Sequence, residues 1–217
     1  MLSIFGVALG VAVALGSESA PLTLSCHTTR GPFTVSLRPD LCQNGTAQLM
    51  RLTESGFLSQ GLAFFRINKG IVQFGADESP VSRKRRGASD PFGAVRHGTM
   101  RDWHPKCGLA GDCSKPVLKE FPWSRGTFAL ISSTQMLVVK RRSRVMGTNR
   151  FDCPLGTIDE LGMTTVFDQL YSGYGNKVDT KTGPGQGTIA RQALEGTRRS
   201  FPKLDFLLNC TQIRLSV

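Results

Sequence analysis

Beyond residue 15 the chain has no apolar run long enough to cross a bilayer as a helix. Three histidines, His27, His97 and His104, are its only imidazoles. No Gly-x-Ser-x-Gly elbow accompanies them, and no cysteine or serine stands in a recognisable nucleophile setting. The glycine-rich stretch 171–188 lacks the Gly-Lys-Ser/Thr that opens a phosphate-binding helix. Asp159 and Glu160 are adjacent, so on a strand their carboxylates would face opposite sides and could not share a substrate. His104, Cys107 and Cys113 follow no standard zinc spacing. Basic residues are not interleaved with aromatics in the way that stacks bases. These absences leave no visible catalytic set. The expectation is a binding or structural protein rather than an enzyme, with no metal, no cofactor and no nucleic-acid partner.

Acidic residues are also scarce. Lys and Arg number 27 against 16 Asp and Glu, for a net charge of +11. One dense basic group is Arg83-Lys84-Arg85-Arg86, followed at once by Gly87-Ala88-Ser89. Arg at the first and fourth positions before a small residue is the substrate pattern of the proprotein convertases. Pro80 and Gly87 favour an extended loop that a protease can thread. The other dense group is Lys140, Arg141, Arg142 and Arg144, a candidate polyanion surface for sulfated glycosaminoglycans, with a solvated turn as the plainer alternative.

Residues 4–15 are uncharged and apolar, too short for a membrane helix but the right length for the hydrophobic region of a signal peptide. The expected organisation is a signal peptide over 1–19, a small pro-segment over 20–86 and a larger domain over 87–217. Sequons at Asn44 and Asn209 fit export. So do six cysteines, Cys26 and Cys42 before the basic site and Cys107, Cys113, Cys153 and Cys210 after it. An even number on each side lets each product close its own bonds: Cys26–Cys42 in the small segment and one of three pairings in the large one, where Cys107–Cys210 with Cys113–Cys153 is expected because a bond should tie the opening segment to the closing strand. Localisation is expected in the secretory pathway and beyond it.

Along the chain, Phe33–Leu37 alternates like a strand, and Thr46–Ser55 reads as a short helix stopped by Gly56. Residues 57–65 are apolar without a decisive period, and 71–74 form another apolar piece. Thr127–Lys140 reads as two strands, or one bent strand, around Ser132-Ser133-Thr134-Gln135. Met163–Phe167, Phe206–Leu208 and the alternating 212–217 complete a pattern of short strands separated by turn signals. Residues 171–188 have five glycines and no apolar period, and read as a loop. The fold class expected is mainly β: a small disulfide-bonded α/β pro-segment followed by an immunoglobulin-like β-sandwich.

Three motifs carry a resemblance to the spike-glycoprotein precursors of alphaviruses and togavirus-like relatives. The first is Cys42-Gln43-Asn44-Gly45-Thr46-Ala47-Gln48-Leu49-Met50-Arg51-Leu52, similar to the cysteine-then-helix order of the family's small chaperone subunit. The second, His104-Pro105-Lys106-Cys107-Gly108 through Cys113 to Val117, resembles the opening of its receptor-binding subunit, with His104 where a further cysteine is usual. The third, Asp205–Cys210 leading into Gln212–Val217, is similar to the strands that close its first immunoglobulin-like domain. The resemblance implies a convertase-processed viral envelope glycoprotein that attaches to a cell-surface receptor and shields a fusion glycoprotein partner at the virion surface. It also implies a chain continuing past Val217, with membrane association through that continuation or through the partner. A cellular secreted precursor, cytokine- or growth-factor-like, explains the leader, basic site and cysteines equally well.

Overall fold

The computed structural model describes residues 22–76, 123–131, 134–142, 152–174 and 183–214. The leader, the basic run Arg83–Gly87, His97, His104, Cys107, Cys113 and Arg144 lie outside the described residues. So do the expected boundaries at residues 19 and 86.

Among the described residues nine strands form one antiparallel sheet. They are β1 (Leu22–Thr28), β2 (Gly31–Leu37), β3 (Leu62–Ala63), β4 (Arg66–Ile67), β5 (Ile71–Phe74), β6 (Thr127–Leu130), β7 (Met136–Val139), β8 (Cys153–Ile158) and β9 (Phe206–Arg214), in spatial order β3-β9-β1-β2-β8-β6-β7-β5-β4. The two edge strands, β3 and β4, are consecutive in the chain, with only Phe64 and Phe65 between them. Three peptide steps span at most about 11 Å, so the sheet must curl until its edges nearly meet. A nine-stranded open sheet could not be linked in that way. The result is a curled, barrel-like sheet.

This corrects the expected pro-segment followed by an immunoglobulin-like sandwich. Strands from before residue 86 and strands from after it alternate in the same sheet: β9 pairs with β1, β8 with β2, and β7 with β5. Several of the short strands were read from alternation, but alternation fixes only which residues face inward. Partner choice comes from long-range pairing, which a strand's own pattern does not encode.

The disulfides follow the same topology. Cys26 and Cys210 stand directly opposite each other on β1 and β9 and are bonded, with Cα atoms 4.1 Å apart. Cys42 is bonded to Cys153, the first residue of β8. Both bonds join segments on either side of residue 86, in place of the expected pairs Cys26–Cys42, Cys107–Cys210 and Cys113–Cys153. They close sequence separations of 184 and 111 residues, each worth about 5 kcal/mol in the chain-entropy account.

Inside the curl, Phe64 meets Phe74 edge-on at 5.0 Å and Phe167 at 6.2 Å, and Phe33 meets Phe167 at 4.9 Å. Helix α1 (Gln43–Glu54) sits over one end of this core, burying Gly45, Gln48, Leu49 and Leu52 at helical spacing. The αL conformation of Gly56, at φ 75°, turns the chain after the helix has ended. A short helix α2 (Glu160–Gly162), capped by Asp159, runs into a π-helical turn, Met163–Phe167. Its Met163, Val166 and Phe167 enter the core, where a strand was expected. Helix α3 (Gln186–Ser200) packs Ile189 and Leu194 against Ala63, Phe65, Phe201 and Phe206. No helix of the described residues is long and apolar enough to cross a membrane.

Candidate functional site

Residues paired directly across an antiparallel ladder share a face. Ile67 pairs with Val72, Val72 with Val138, and Val138 with Phe128, so this row crosses β4, β5, β7 and β6 on one face, where all four are core. One residue along, Arg66 pairs with Gln73, Gln73 with Leu137, and Leu137 with Ala129. That second row lies on the opposite, outer face. Next to it Ile71 pairs with Val139. Ile71, Ala129, Leu137, Val139 and Trp123 pack together as a separate apolar cluster, with Ile131 against its edge.

Polar groups form a chain at the margin of this patch. Arg66 Nη1 donates to Gln73 Oε1 at 3.3 Å, and Gln73 Nε2 donates to Gln135 Oε1 at 2.6 Å. Gln73 and Gln135 are only 7% and 8% exposed, whereas Arg66 is half-buried. Both atoms of the Gln73 amide are therefore engaged, which fixes its orientation and holds the guanidinium against the sheet.

Local turns set these positions. Asn68 Oδ1 accepts from the backbone N–H groups of Gly70 and Ile71 at 2.8 and 2.9 Å, closing the β4–β5 hairpin. Gly75 has φ 82°, and a Cβ there would run into the Thr134 carbonyl, so only glycine lets the Thr134 backbone approach β5 and deliver Gln135 beside Gln73. Gly126, at φ 86°, donates its N–H to the Val139 carbonyl at 2.9 Å and anchors the turn that follows Trp123.

An ion network braces the neighbouring end of β6 and β7. Arg125 bonds Glu160 at 2.9 Å and Asp168 at 2.7 Å, and Lys140 reaches Asp168 at 3.3 Å. Hydrogen bonds from Arg125 hold both carboxylates below their ordinary range and push the guanidinium further above its own. The network ties α2 and the π-helical turn to the sheet.

Sequence-selected residues fall elsewhere. Lys140 is committed to Asp168, while Arg141 and Arg142 are exposed beside it. Asn44 lies in the first turn of α1 and Asn209 on β9, both exposed, and Cys210 of the second sequon is bonded to Cys26. His27 is exposed on β1. Among the described residues no group of His, Cys, Asp and Glu is placed to hold a metal ion. Arg66, Gln73 and Gln135 were not singled out from sequence. The signal that marks them is a polar residue at an apolar strand's alternate position, in Ile71-Val72-Gln73-Phe74 and at the head of Gln135-Met136-Leu137-Val138-Val139.

No family model and no curated protein matches the sequence. Solved structures do. A cyclophilin-type peptidyl-prolyl cis-trans isomerase from Cryptosporidium parvum superimposes with a TM-score of 0.51 at 12% identity, covering 90% of this chain and 99% of that one. The same protein in the presence of the dipeptide Ala-Pro gives 0.48 at 12% identity, over 90% and 99% of the two chains. Cyclophilin AquaCyp293 from Hirschia baltica gives 0.49 at 14% identity, over 87% and 73%. At these identities the likeness concerns the fold, and the fold is that of the first of these structures.

That likeness overturns the spike-precursor resemblance and what hung on it. A curled sheet running through both halves of the chain is a cyclophilin-like architecture, not a chaperone subunit joined to an immunoglobulin-like domain. The viral attachment function, the cytokine-like alternative and the virion and host-attachment assignments are withdrawn. So are the fusion-glycoprotein, convertase and receptor or glycosaminoglycan partners. The expectation of a non-enzyme falls with them, because it rested on finding no hydrolase-type residues, and that search says nothing about reactions needing no nucleophile.

Proposed function

We propose that the chain binds proline-containing peptides on the outer face of β4, β5, β7 and β6 and accelerates cis–trans rotation about the X–Pro bond. The observation that carries this reading is the row Arg66–Gln73–Leu137–Ala129, which sets a braced guanidinium beside an apolar patch on a cyclophilin-like fold.

The chemistry asks for little else. Rotation breaks no covalent bond; its barrier of about 18–20 kcal/mol is the loss of amide resonance. Cis and trans X–Pro differ by only about 0.5–1 kcal/mol, so the task is to stabilise the twisted state. In that state the imide nitrogen becomes pyramidal and recovers a lone pair that the planar amide lacks. A donor held near the nitrogen stabilises the twisted form more than either planar form, which is the condition for catalysis. Arg66 is that donor. Gln73 orients it, and Gln135 orients Gln73. Ile71, Leu137 and Val139, 7%, 1% and 0% exposed, form the apolar packing beside that donor. The Cys26–Cys210 and Cys42–Cys153 bonds support placing this activity in an oxidising, export-pathway compartment.

The test is the rate of cis–trans exchange in a blocked Ala-Ala-Pro-Phe peptide, followed by protease coupling. Wild type is expected to accelerate exchange, and Arg66→Ala to lose about 10²-fold or more of that acceleration while unfolding at the wild-type denaturant midpoint. An inactive wild-type protein, or an Arg66→Ala protein as active as wild type, would end this reading.

A further inference from the structure

Strand β9 carries the sequon Asn209-Cys210-Thr211 in the middle of its run. Alternation sends Cys210 inward, where it is buried and bonded to Cys26, and turns Asn209 and Thr211 outward, where both are exposed. Cross-strand pairing continues that outer face. Asn209 pairs with His27 and His27 with Pro32, while Thr211 pairs with Ser25 and Ser25 with Thr34. These two rows hold no Lys, Arg, Asp or Glu, in a chain with 27 Lys and Arg, and all but the half-buried Ser25 are exposed. On its other flank β9 pairs with β3 only at Phe206 and Leu207. Past them no strand among the described residues takes that side. Leu208, at 40% exposure, stands at the start of this stretch. A strand edge left unpaired can add a strand from another chain.

We infer that Asn209 is a site of N-glycosylation and that its glycan shields this edge of β9. Glycosylation there is independent of the isomerase reading, with which it shares only the export-pathway compartment. The co-substrate is a lipid-diphosphate-linked oligosaccharide. The Asn209 amide nitrogen attacks its anomeric carbon and gives up one proton; an N–C bond forms, the C–O bond to the diphosphate breaks, and the lipid diphosphate leaves. Thr211 supplies the hydroxyl that the acceptor motif requires. Transfer comes before β9 enters the sheet, because the ladder to β1 and the Cys26–Cys210 bond then hold the sequon extended against its neighbour. Chain order allows it: Cys26 and Cys210 are 184 residues apart, and β9 is the last of the described strands to be made. The sugar then lies over the uncharged rows of β9, β1 and β2. In sheet order β8 and β6 stand between those strands and β7, β5 and β4, so the Arg66 face stays uncovered.

The full chain, expressed in secretory cells with Asn44→Gln, keeps Asn209 in its sole remaining sequon. Digestion with an N-glycan-cleaving amidase should shift its mobility by one glycan. Versions that also carry Asn209→Gln or Thr211→Val should not shift. Peptide mapping without reductant should find the glycan and the Cys26–Cys210 bond in the same molecules. No shift, or a glycan confined to molecules lacking that bond, overturns the site. The edge role is read by light scattering, at a concentration where the glycosylated chain is a monomer. Folded, disulfide-bonded Asn209→Gln and Thr211→Val proteins should there show a mean mass about twofold higher or more. Monomers in both overturn the shielding role. Glycan occupancy is read without any peptide substrate, so an inactive wild type ends the isomerase reading and leaves this one standing.

Discussion

Strands β4, β5, β7 and β6 carry two faces built from alternate residues of the same short segments. On the inner face Ile67, Val72, Val138 and Phe128 are all apolar and belong to the main core. On the outer face the equivalent row reads Arg66, Gln73, Leu137 and Ala129. Both faces are largely buried, so burial does not separate them; composition does. A core row needs only volume and complementarity. A row that places a guanidinium and a fully engaged amide against apolar neighbours carries a desolvation cost the core row avoids. The fold gains little from that arrangement, which is the physical ground for assigning the outer row to ligand chemistry.

The largest effect should come from the inner face. Phe74→Ala removes a ring packed on Phe64 at 5.0 Å and should cost about 3–5 kcal/mol of stability, read as a drop in the urea midpoint. Arg66→Ala, on the outer face, should move that midpoint little. If the two variants destabilised the chain equally, the contrast between the faces would dissolve.

Removing the Cys26–Cys210 bond with Cys26→Ser and Cys210→Ser should cost about 2–5 kcal/mol. In the oxidised wild type, a trypsin nick between residues 77 and 122 should leave fragments that co-migrate until reductant is added, because both bonds span that interval. Fragments that separate without reductant would refute the pairing.

Gln135→Leu leaves the Gln73 amide N–H without its 2.6 Å acceptor. A loss of about 1–3 kcal/mol in stability is expected, along with roughly tenfold lower isomerase activity if Gln73 orients Arg66. Stability loss with full activity would show that the amide chain serves the fold alone.

The smallest effect concerns acid. Glu160 and Asp168 are held below their ordinary range by hydrogen bonds from Arg125. A depressed carboxylate stabilises the fold above its unfolded pKa, and that contribution fades as pH falls below about 4 through the lower folded value. The exposed setting keeps it small. Arg125→Ala should flatten the stability profile below pH 4 relative to wild type, as measured by urea midpoints across that range.

Part of the element list was legible: β2, α1, β5 and the β6–β7 pair appear where alternation and turn residues put them. Others were not: β1, β4 and β8 drew no strand reading. Helix α3 follows a glycine-rich stretch, and its burial rests on little more than Ile189, Thr197 and half-buried Leu194, too sparse a stripe to stand out. The π-helical turn Met163–Phe167 presents the same short apolar run that a strand would. The site was illegible for a different reason. Arg66, Gln73 and Gln135 meet only after β4, β5 and β7 pair, and each alone is an unremarkable residue in an apolar run. The basic groups Arg83–Arg86 and Lys140–Arg144 drew notice because their charge is contiguous in sequence, yet Lys140 proves to be one arm of an ion network with Asp168.

The most direct measurement is a titration of the isotope-labelled protein with blocked Ala-Ala-Pro-Phe, followed by amide chemical shifts. Saturable shifts concentrated at Arg66, Gln73, Gln135, Leu137 and Trp123, with β1 and β9 silent, are the predicted result. Shifts centred on β1, β9 or α3, or no shifts at millimolar peptide, would contradict the assignment of the outer face as the peptide site.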